Sequence, residues 1–250
     1  MNYRNLIKNL VEKQKRSDLI ILKSIVLTMG FCCFLHIGLY AQPGEEGFVS
    51  MFNGKNLSEW EGMTEFWKVE NSAIVGETKT VNQQTHFLYW KGGKPANFEM
   101  RCRIRVVGKE GNSGIQIRSQ KRPNWDALGY QVDFDASGYS VGTIYYHNRQ
   151  PHATFAQRGD SVLIDSNGIR SVNKFAEPAK LLDVFKKGDW NEYRILAKGR
   201  HVTLWMNDVI MCTVEDYEQK YTLPKGIIAL QLHSGEPMRV EFKDIRIRNY

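Results

Sequence analysis

The sequence contains little cysteine, and its cysteines are not spaced for metal binding or redox chemistry. Four cysteines occur in 250 residues, and only Cys102 and Cys212 lie beyond residue 41. Neither a C-x-x-C pair nor an H-E-x-x-H motif is present, which excludes the common zinc-finger, thioredoxin-like and zinc-protease arrangements. Both cysteines stand in apolar strand patterns, so the sequence leaves open two buried thiols or one disulfide.

A dense basic patch is also missing, although the formal net charge is +7. The first 41 residues hold six Lys/Arg and two Asp/Glu, which leaves 28 basic and 25 acidic residues in the rest of the chain. The high net charge therefore belongs largely to the N-terminal segment. Because the remaining basic residues are not clustered with aromatic ones, we predict no nucleic-acid partner.

Residues 1–41 have the layout of a signal peptide. Basic residues up to Arg16 precede an apolar stretch, interrupted by Lys23, that ends near Ala41. Small and polar residues follow at once, so we expect export with cleavage, and a mature domain of residues 42–250 in the periplasm or outside the cell. The apolar stretch is nearly long enough to span a bilayer, and an uncleaved membrane anchor is the alternative.

Helical periodicity is hard to find beyond residue 41, where apolar residues recur at every second position. This alternation, with Gly, Asn and Asp turns, predicts an all-β sandwich of two antiparallel sheets in one domain. The stretch 150–189 is irregular, with a short helix expected in AEPAKLLDVFKK, and we expect this long connection to wall a site. The clearest strands are FEMRCRIRV (98–106), GIQI (114–117), YRILA (193–197), a hairpin in HVTLWMNDVIMCTV turning at Asn207-Asp208, GIIALQLHS (226–234) and VEFKDIRIRN (240–249).

Polar side chains gather on one face of a predicted hairpin in GYQVDFDASGYSVGTIYYHNR, residues 129–149. If the chain bends near ASGYS, alternation brings an amide, two carboxylates, a phenol and an imidazole together. Sugar hydroxyls need such a mixture of donors and acceptors. The polar face holds Gln131, Asp133, Asp135, Thr143, Tyr145 and His147, and the opposite, core face holds Tyr130, Val132, Phe134, Ile144 and Tyr146.

The signature of retaining jelly-roll glycosidases, E-x-D-x-x-E, is missing from this strand. The corresponding residues are Gln131, Asp133 and Ala136. An amide cannot act as the nucleophile and an alanine cannot act as the acid, so this alignment makes two-carboxylate hydrolysis unavailable here. Asp133 and Asp135 remain as carboxylates for another mechanism.

Several motifs, in order and spacing, resemble the 3-keto-disaccharide hydrolase domain family, which is common in secreted Bacteroidetes proteins. The resemblance extends over roughly residues 48–250 and implies a concanavalin A-like jelly-roll sandwich. It also implies cleavage of glycosides that are already oxidised at C3. The motifs are FVSMFNGKNLSEWEG, FWKVENSAIVG, NFEMRCRIRV with NSGIQIRS, GYQVDFD with GTIYYHNR, KKGDWNEYRILAKG and GIIALQLHSGEPMRVEFKDIRIRN.

The resemblance implies elimination followed by hydration. A ketone at C3 acidifies the C2 hydrogen, and removal of that proton gives an enolate that expels the C1 substituent before water adds. Such a reaction needs a general base, a group that stabilises the enolate oxygen and a proton donor for the leaving group. It also implies an upstream sugar oxidoreductase that makes the 3-keto glycoside.

We predict Asp133 or His147 as the base, with Arg118 or a divalent metal at the enolate oxygen. Asp135 precedes a glycine-containing turn, where the favoured role is to accept backbone hydrogen bonds. Glu99 has a second interpretation, an ion pair with the arginines of its own strand. The predicted substrate-binding residues are Glu99, Gln131, Tyr145, Trp125 and His233, and the candidate metal ligands are Asp133, Asp135, His147 and His233.

A lectin-like carbohydrate-binding module without catalysis is the alternative function. The six tryptophans offer stacking surfaces, and Trp125, just before the acidic strand, is the one expected to touch a ligand. Trp60, Trp67 and Trp190 lie in stretches that the family shares and are expected in the core. A binding module would lose affinity gradually when Asp133 or His147 is replaced, whereas an enzyme would lose turnover by orders of magnitude.

Overall fold

Alternating side chains build two sheets that pack face to face in a jelly-roll sandwich. The computed structural model describes residues 45–148 and 153–250, and the predicted leader, residues 1–41, lies outside the described residues. Within the described part, no helix is long and apolar enough to cross a membrane. The elements are β1 Val49–Ser50, β2 Trp60–Glu61, β3 Trp67–Glu70, β4 Ala73–Glu77, β5 His86–Trp90, β6 Phe98–Val107, β7 Asn112–Arg122, β8 Asp126–Asp135, β9 Ile144–His147, β10 Ala153–Ala156, β11 Asp160–Ile164, β12 Arg170–Lys174, α1 Pro178–Leu182, β13 Asn191–Lys198, β14 His201–Met206, β15 Val209–Asp216, β16 Ile227–Leu232 and β17 Arg239–Asn249.

The two sheets differ in size. The large sheet has the strand order β12-β11-β15-β14-β13-β6-β17-β4-β3, with β1 paired to β17, and the small sheet has the order β10-β9-β8-β7-β16-β5-β2. Neighbouring strands are antiparallel except β11 and β15, which run parallel. The predicted all-β sandwich is confirmed.

The core lies between the sheets and takes one face of every long strand. In β6, for example, Phe98, Met100, Cys102 and Ile104 are fully buried while the residues between them face outward. Cys102 and Cys212 are both free and buried, and burial raises the pKa of each thiol. Of the two possibilities that the sequence left open, the structure shows two buried thiols.

The predicted hairpins have the expected register. Asn207 and Asp208 adopt φ values of 47° and 66° between β14 and β15, as a tight two-residue hairpin turn requires. In the β8–β9 pair, Gln131 lies opposite Tyr145, and the N–H of Asp133 donates to the Thr143 carbonyl at 3.1 Å. The predicted polar row therefore lies on the outer face of the small sheet, and the apolar row of the same hairpin lies in the core.

The prediction of an irregular connection over 150–189 is largely wrong. The described part of this stretch forms β10, β11 and β12, which pair with β9, β15 and β11 respectively. The short helix is confirmed as α1, whose Leu181 is buried. Edge strands with many exposed polar residues, such as β12, carry too weak an alternation to be recognised from sequence.

Candidate functional site

The tip of the β7–β8 hairpin folds across the outer face of the small sheet. Its Trp125 carbonyl accepts a hydrogen bond from the N–H of Phe87 at 2.9 Å, and the Tyr89 hydroxyl donates to the Asp126 carbonyl at 2.7 Å. The Trp125 and Tyr89 rings stack with centroids 5.7 Å apart. Since β7 and β16 separate β8 from β5 in the sheet, these contacts require the tip to cross over β16. The face is therefore closed at this end.

Beside the tip, a row of buried amides leads towards Asp133. The Ser119 hydroxyl donates to Gln116 Oε1 at 2.5 Å, and Gln116 Nε2 donates to Gln131 Oε1 at 2.8 Å. Gln131 Nε2 then donates to Asp133 Oδ1 at 2.5 Å and to Gln231 Oε1 at 3.3 Å. We call Ser119, Gln116, Gln131 and Gln231 the amide chain. Through Gln131, the amide chain fixes the orientation of the Asp133 carboxyl.

Gly114 makes room for this chain. It lies opposite Asp133 in the β7–β8 register, and a Cβ added there would stand 2.9 Å from Gln131 Cγ and 2.8 Å from the Val132 carbonyl oxygen. The backbone cannot yield, so any larger residue would displace the Gln131 amide from Asp133. The glycine in NSG is thus explained by close packing.

Asp133 opens into a pocket of about 480 Å³ at the end of the small sheet. Asn112 lines this pocket, and its Oδ1 atom is buried without a hydrogen-bond partner among the described residues. Nε2 of Gln231, in the amide chain, is also buried and unmatched there. Unmatched buried polar atoms are costly, and a ligand hydroxyl could satisfy them. Besides Asp133, the lining includes Lys109, Glu110, Asn112, Tyr139 and Glu236.

Burial raises the pKa of Asp133 to about 7. The hydrogen bonds from Gln131 and Thr143 oppose this rise, whereas the charge of Asp135 adds to it. No ion pair joins Asp133 to a cation in the described part of the chain. A carboxyl that titrates near neutrality can accept or donate a proton during turnover, as a general base or acid must.

Asp135 has the structural role that its sequence context favours. Its Oδ1 accepts from the backbone N–H groups of Ser137, Gly138 and Tyr139 at 2.8, 2.8 and 3.2 Å, and its Oδ2 accepts from the N–H and hydroxyl of Ser140 at 2.6 Å each. Although burial alone would raise the pKa of Asp135, the hydrogen bonds from the hydroxyl and backbone N–H groups of Ser137 and Ser140 lower it. Asp135 therefore fixes the turn after β8 and stays ionised.

His147 lies apart from Asp133 and binds a different carboxylate. Its Nε2 is 3.0 Å from Asp126 Oδ1, and its ring packs edge-on against Phe87 with centroids 5.3 Å apart. His147 pairs with Gly129, four residues of β8 from Asp133, about 13 Å along the strand. Asp126 was missed from the sequence because only the folding of the hairpin tip brings it to His147.

Asp126 itself is held as a carboxylate. Burial would raise its pKa, but hydrogen bonds from His147, the Ala127 N–H and Asn148 outweigh burial and lower it. The pair of Asp126 and His147 joins the tip to β9 and is distinct from the Asp133 pocket.

Two predicted site residues, Glu99 and Arg118, are not at the pocket. Glu99 lies on β6 in the large sheet, is 1 % exposed, and forms ion pairs with Arg101, Arg194 and Arg248 at 2.9, 2.8 and 3.0 Å. These ion pairs confirm its second interpretation, and Glu99 does not line the Asp133 pocket.

Arg118 is occupied by backbone carbonyls. Its Nε donates to Ala96 O at 2.8 Å and its Nη1 to Gly199 O at 2.7 Å, and burial lowers its pKa. Arg118 does not line the Asp133 pocket, and its guanidinium is bound to carbonyls elsewhere, so the structure does not bring it to Asp133 as an enolate-stabilising group. The sequence gives no sign of this orientation of Arg118, because it follows from a register shift in β7 between Ile117 and Gln120.

Tyr145 and His233 do not line the pocket, although each is next to a residue that does. Tyr145 lies beside Asp133, whose charge adds to the rise that burial causes in the pKa of Tyr145. His233 follows β16, and its Nδ1 is 2.5 Å from Ser234 O. In the described residues, no three His, Cys, Asp or Glu side chains are grouped to hold a metal ion. The predicted ligand set of Asp133, Asp135, His147 and His233 is therefore not assembled.

The tryptophans also divide. Trp60 and Trp67 are 4 % and 2 % exposed and lie in the core, as predicted. Trp190 was expected in the core, and this prediction is wrong. Trp190 lies on the outer face of the large sheet, where Arg105 Cζ and Lys243 Nζ are 4.6 and 4.2 Å from the centre of its ring. Trp125 is committed to the hairpin tip, where one ring face stacks on Tyr89.

Comparison with known proteins finds a family and a shared fold. A sequence model of the 3-keto-alpha-glucoside-1,2-lyase-like domain matches residues 47–248. A candidate glycosyl hydrolase from Parabacteroides distasonis is 18 % identical, with a TM-score of 0.55 over 81 % of this chain and 99 % of its own. A second from that organism is 17 % identical, with a TM-score of 0.53 over 82 % and 94 %.

A carbohydrate-binding module from Bacillus subtilis is 12 % identical, with a TM-score of 0.50 over 78 % of this chain and 98 % of its own. Identities this low show the fold alone. No curated protein matches the chain.

Proposed function

The chain belongs to the family of 3-keto-alpha-glucoside-1,2-lyase-like domains, and from that premise we propose that it cleaves the glycosidic bond of 3-keto sugars by elimination and hydration. Family membership supports a carbohydrate-related hydrolase or binding function. The observation that carries the proposal to an enzyme is the Asp133 carboxyl, whose pKa burial raises to about 7 inside a polar pocket.

In the proposed reaction, Asp133 removes the C2 proton of the keto sugar. The C2–H electrons form an enolate with the C3 carbonyl, and this enolate expels the C1 oxygen as a C1=C2 bond forms. Water then adds to C1 and C2 regains a proton. No carboxylate nucleophile is needed, which agrees with Gln131 and Ala136 where retaining glycosidases have carboxylates.

Other pocket residues can serve the two remaining steps. Lys109 lines the pocket with Asp133, and its ammonium group is the cation that we assign to the enolate oxygen. Glu110 and Glu236 also line the pocket, and we assign protonation of the departing oxygen to one of them. No step is assigned to a metal ion, because the predicted ligands are not grouped.

Lectin-like binding without catalysis is the second candidate function. The buried and unmatched Oδ1 of Asn112 favours it, because an acceptor beside a polar pocket suits a sugar hydroxyl whether or not a bond is broken. In that case the carboxyl of Asp133 would only hydrogen-bond the sugar.

We also propose the cellular setting that the sequence predicts. The layout of residues 1–41 supports export to the periplasm or the cell exterior. An upstream oxidoreductase would supply the substrate, because glycosides must be oxidised at C3 before this chemistry can begin.

The test is product release from a 3-keto glucoside and from the matching unoxidised glucoside, with metal-depleted and metal-restored protein. We expect cleavage of the keto sugar alone, and its loss in Asp133→Asn. Asp244→Asn is the matched control, because Asp244 is half-exposed on the large sheet. Cleavage of the plain glucoside would restore two-carboxylate hydrolysis. Binding without any cleavage would favour the lectin-like function.

A further inference from the structure

Tyr139 is placed at the rim of the Asp133 pocket with its side chain in solvent. It lines that pocket and is 87 % exposed, the highest value among the exposed large hydrophobic residues of the described chain. Single exposed apolar residues are common on protein surfaces. The backbone around Tyr139 makes this one different.

The turn that carries Tyr139 is fixed on several sides. Its N–H donates to Asp135 Oδ1 at 3.2 Å and to Ser137 Oγ at 3.1 Å, and its carbonyl accepts from Arg158 Nη1 at 3.0 Å. On the inner side, a Cβ added to Gly138 would lie 3.3 Å from Phe185 and 3.4 Å from Leu182. The turn is thus packed and hydrogen-bonded, and the exposed ring stands on a backbone that is already ordered.

An exposed aromatic ring on a fixed backbone suits the C–H face of a sugar. Tyrosine provides a large flat surface at low conformational cost, and a rigid support reduces the entropy lost on binding. Among the described residues that line the pocket, Tyr139 is the only aromatic one, and most of the others are polar. The pocket therefore offers hydrogen-bonding groups inside and one stacking surface at its rim.

The position of Tyr139 matches the leaving group. Asp133 precedes the end of β8 at Asp135 by two residues, about 7 Å, and the Tyr139 turn lies further out. The amide chain and the hairpin tip close the sheet face on the other side of Asp133. The uncovered end of the sheet face therefore lies on the Tyr139 side of Asp133, where a group attached at C1 has room when C2 meets Asp133.

We propose that Tyr139 forms a leaving-group subsite, where its ring stacks on a second pyranose ring or an aromatic aglycone. This inference rests on the proposed function, since the direction of the subsite is set by the reaction at Asp133. It makes the enzyme selective for 3-keto disaccharides and aryl 3-keto glycosides over glycosides with a small leaving group.

The first test compares kcat/KM for a 3-keto disaccharide and for methyl 3-keto glucoside. In Tyr139→Ala we expect the ratio of the two values to fall by about three- to tenfold, the range of one aromatic contact, whereas Tyr139→Phe keeps it. Tyr250→Ala, an exposed tyrosine on the large sheet, is the control. An unchanged ratio in Tyr139→Ala would overturn the subsite.

A second test separates the subsite from the reaction. Calorimetric binding of the 3-keto disaccharide is measured in Asp133→Asn and in Asp133→Asn with Tyr139→Ala, with methyl 3-keto glucoside as reference. Selective loss of disaccharide affinity on removing Tyr139 supports the subsite even if the wild type cleaves nothing, in which case only the proposed function fails. Cleavage by the wild type with equal disaccharide binding in both variants overturns the subsite and leaves the function standing.

Discussion

The outer faces of the two sheets each hold a carboxyl group that is shielded from water, Glu99 fully and Asp133 partly, but the groups around the two carboxyls differ. On the large sheet, Glu99 is 1 % exposed and is surrounded by three arginines. Burial would raise the pKa of Glu99, yet hydrogen bonds and charge from Arg194 and Arg101 lower it. On the small sheet, Asp133 receives only neutral donors, and burial raises its pKa to about 7.

This difference separates a structural carboxylate from a candidate catalytic one. A compensated carboxylate is stable as an anion and has little tendency to take up a proton at neutral pH. An uncompensated carboxyl is poised between its two forms, at a cost to the stability of the fold. The ion pairs with arginine, which Glu99 has and Asp133 lacks among the described residues, therefore separate the two roles.

The largest expected effect is on turnover. Asp133→Asn removes the proposed base, and we expect kcat/KM for a 3-keto glucoside to fall by about 10²- to 10⁴-fold, the usual contribution of general base catalysis. Glu99→Gln should keep its activity per folded molecule. Steady-state rates on material shown to be folded by circular dichroism check both variants, and equal losses would remove the distinction between the two faces.

Glu99→Gln should instead lower the free energy of unfolding, by about 3 kcal/mol, because loss of one partner leaves the arginines around a buried site uncompensated. Since the pKa of Glu99 is lowered in the fold, its stabilising contribution is present above its unfolded pKa and is lost as pH falls. Urea unfolding at pH 8 measures the change. A loss below 0.5 kcal/mol, roughly that of a surface substitution, would contradict compensation by the arginines.

Asp133→Asn should change the free energy of unfolding in the opposite direction and stabilise the fold at high pH. Because the pKa of Asp133 is raised in the fold, its contribution to stability is full below its unfolded pKa near 4 and is lost as pH rises through about 7. The variant should therefore gain up to about 4 kcal/mol at pH 8, at about 1.36 kcal/mol per pKa unit, and nothing at pH 4. Thermal unfolding across this pH range checks the slope, and a gain that does not depend on pH would refute the assignment.

The smallest expected effect concerns the amide chain. Gln131→Met removes the direct donor to Asp133 Oδ1, so the pKa of Asp133 should rise further, by about one unit for a hydrogen bond to a charged group. The acid limb of the pH profile of kcat/KM should shift to higher pH by the same amount. Gln120→Met, beside the register shift of β7, is the matched control. An unmoved limb would show that the amide chain does not tune Asp133.

The features that depend on residues close together in the chain could be predicted from the sequence. Alternation with period two defines the β8–β9 face, and the turn residues place Asp135 as an acceptor. Both depend on neighbours close in the chain, so their geometry follows from strand and turn rules. The structure accordingly has Gln131 opposite Tyr145 and Asp135 accepting hydrogen bonds from the turn that follows it.

The long-range parts could not be derived in this way. The arginines around Glu99 come from β6, β13 and β17, and their pairing requires the strand order of the large sheet. The contact of His147 with Asp126 depends on the folded hairpin tip, and the direction of Arg118 depends on an irregularity in β7, where its φ is 46°. Each depends on tertiary structure that one sequence does not show.

The most direct test of the central claim is a ¹³C NMR titration of the side-chain carboxyl groups, with Asp133 assigned from the signal missing in Asp133→Asn and Glu99 from that missing in Glu99→Gln. The account predicts that Asp133 titrates near pH 7 and that Glu99 titrates below the ordinary range of a glutamate in the same spectrum. Titration of Asp133 near pH 4 would contradict it, because Asp133 would then be an ordinary compensated carboxylate.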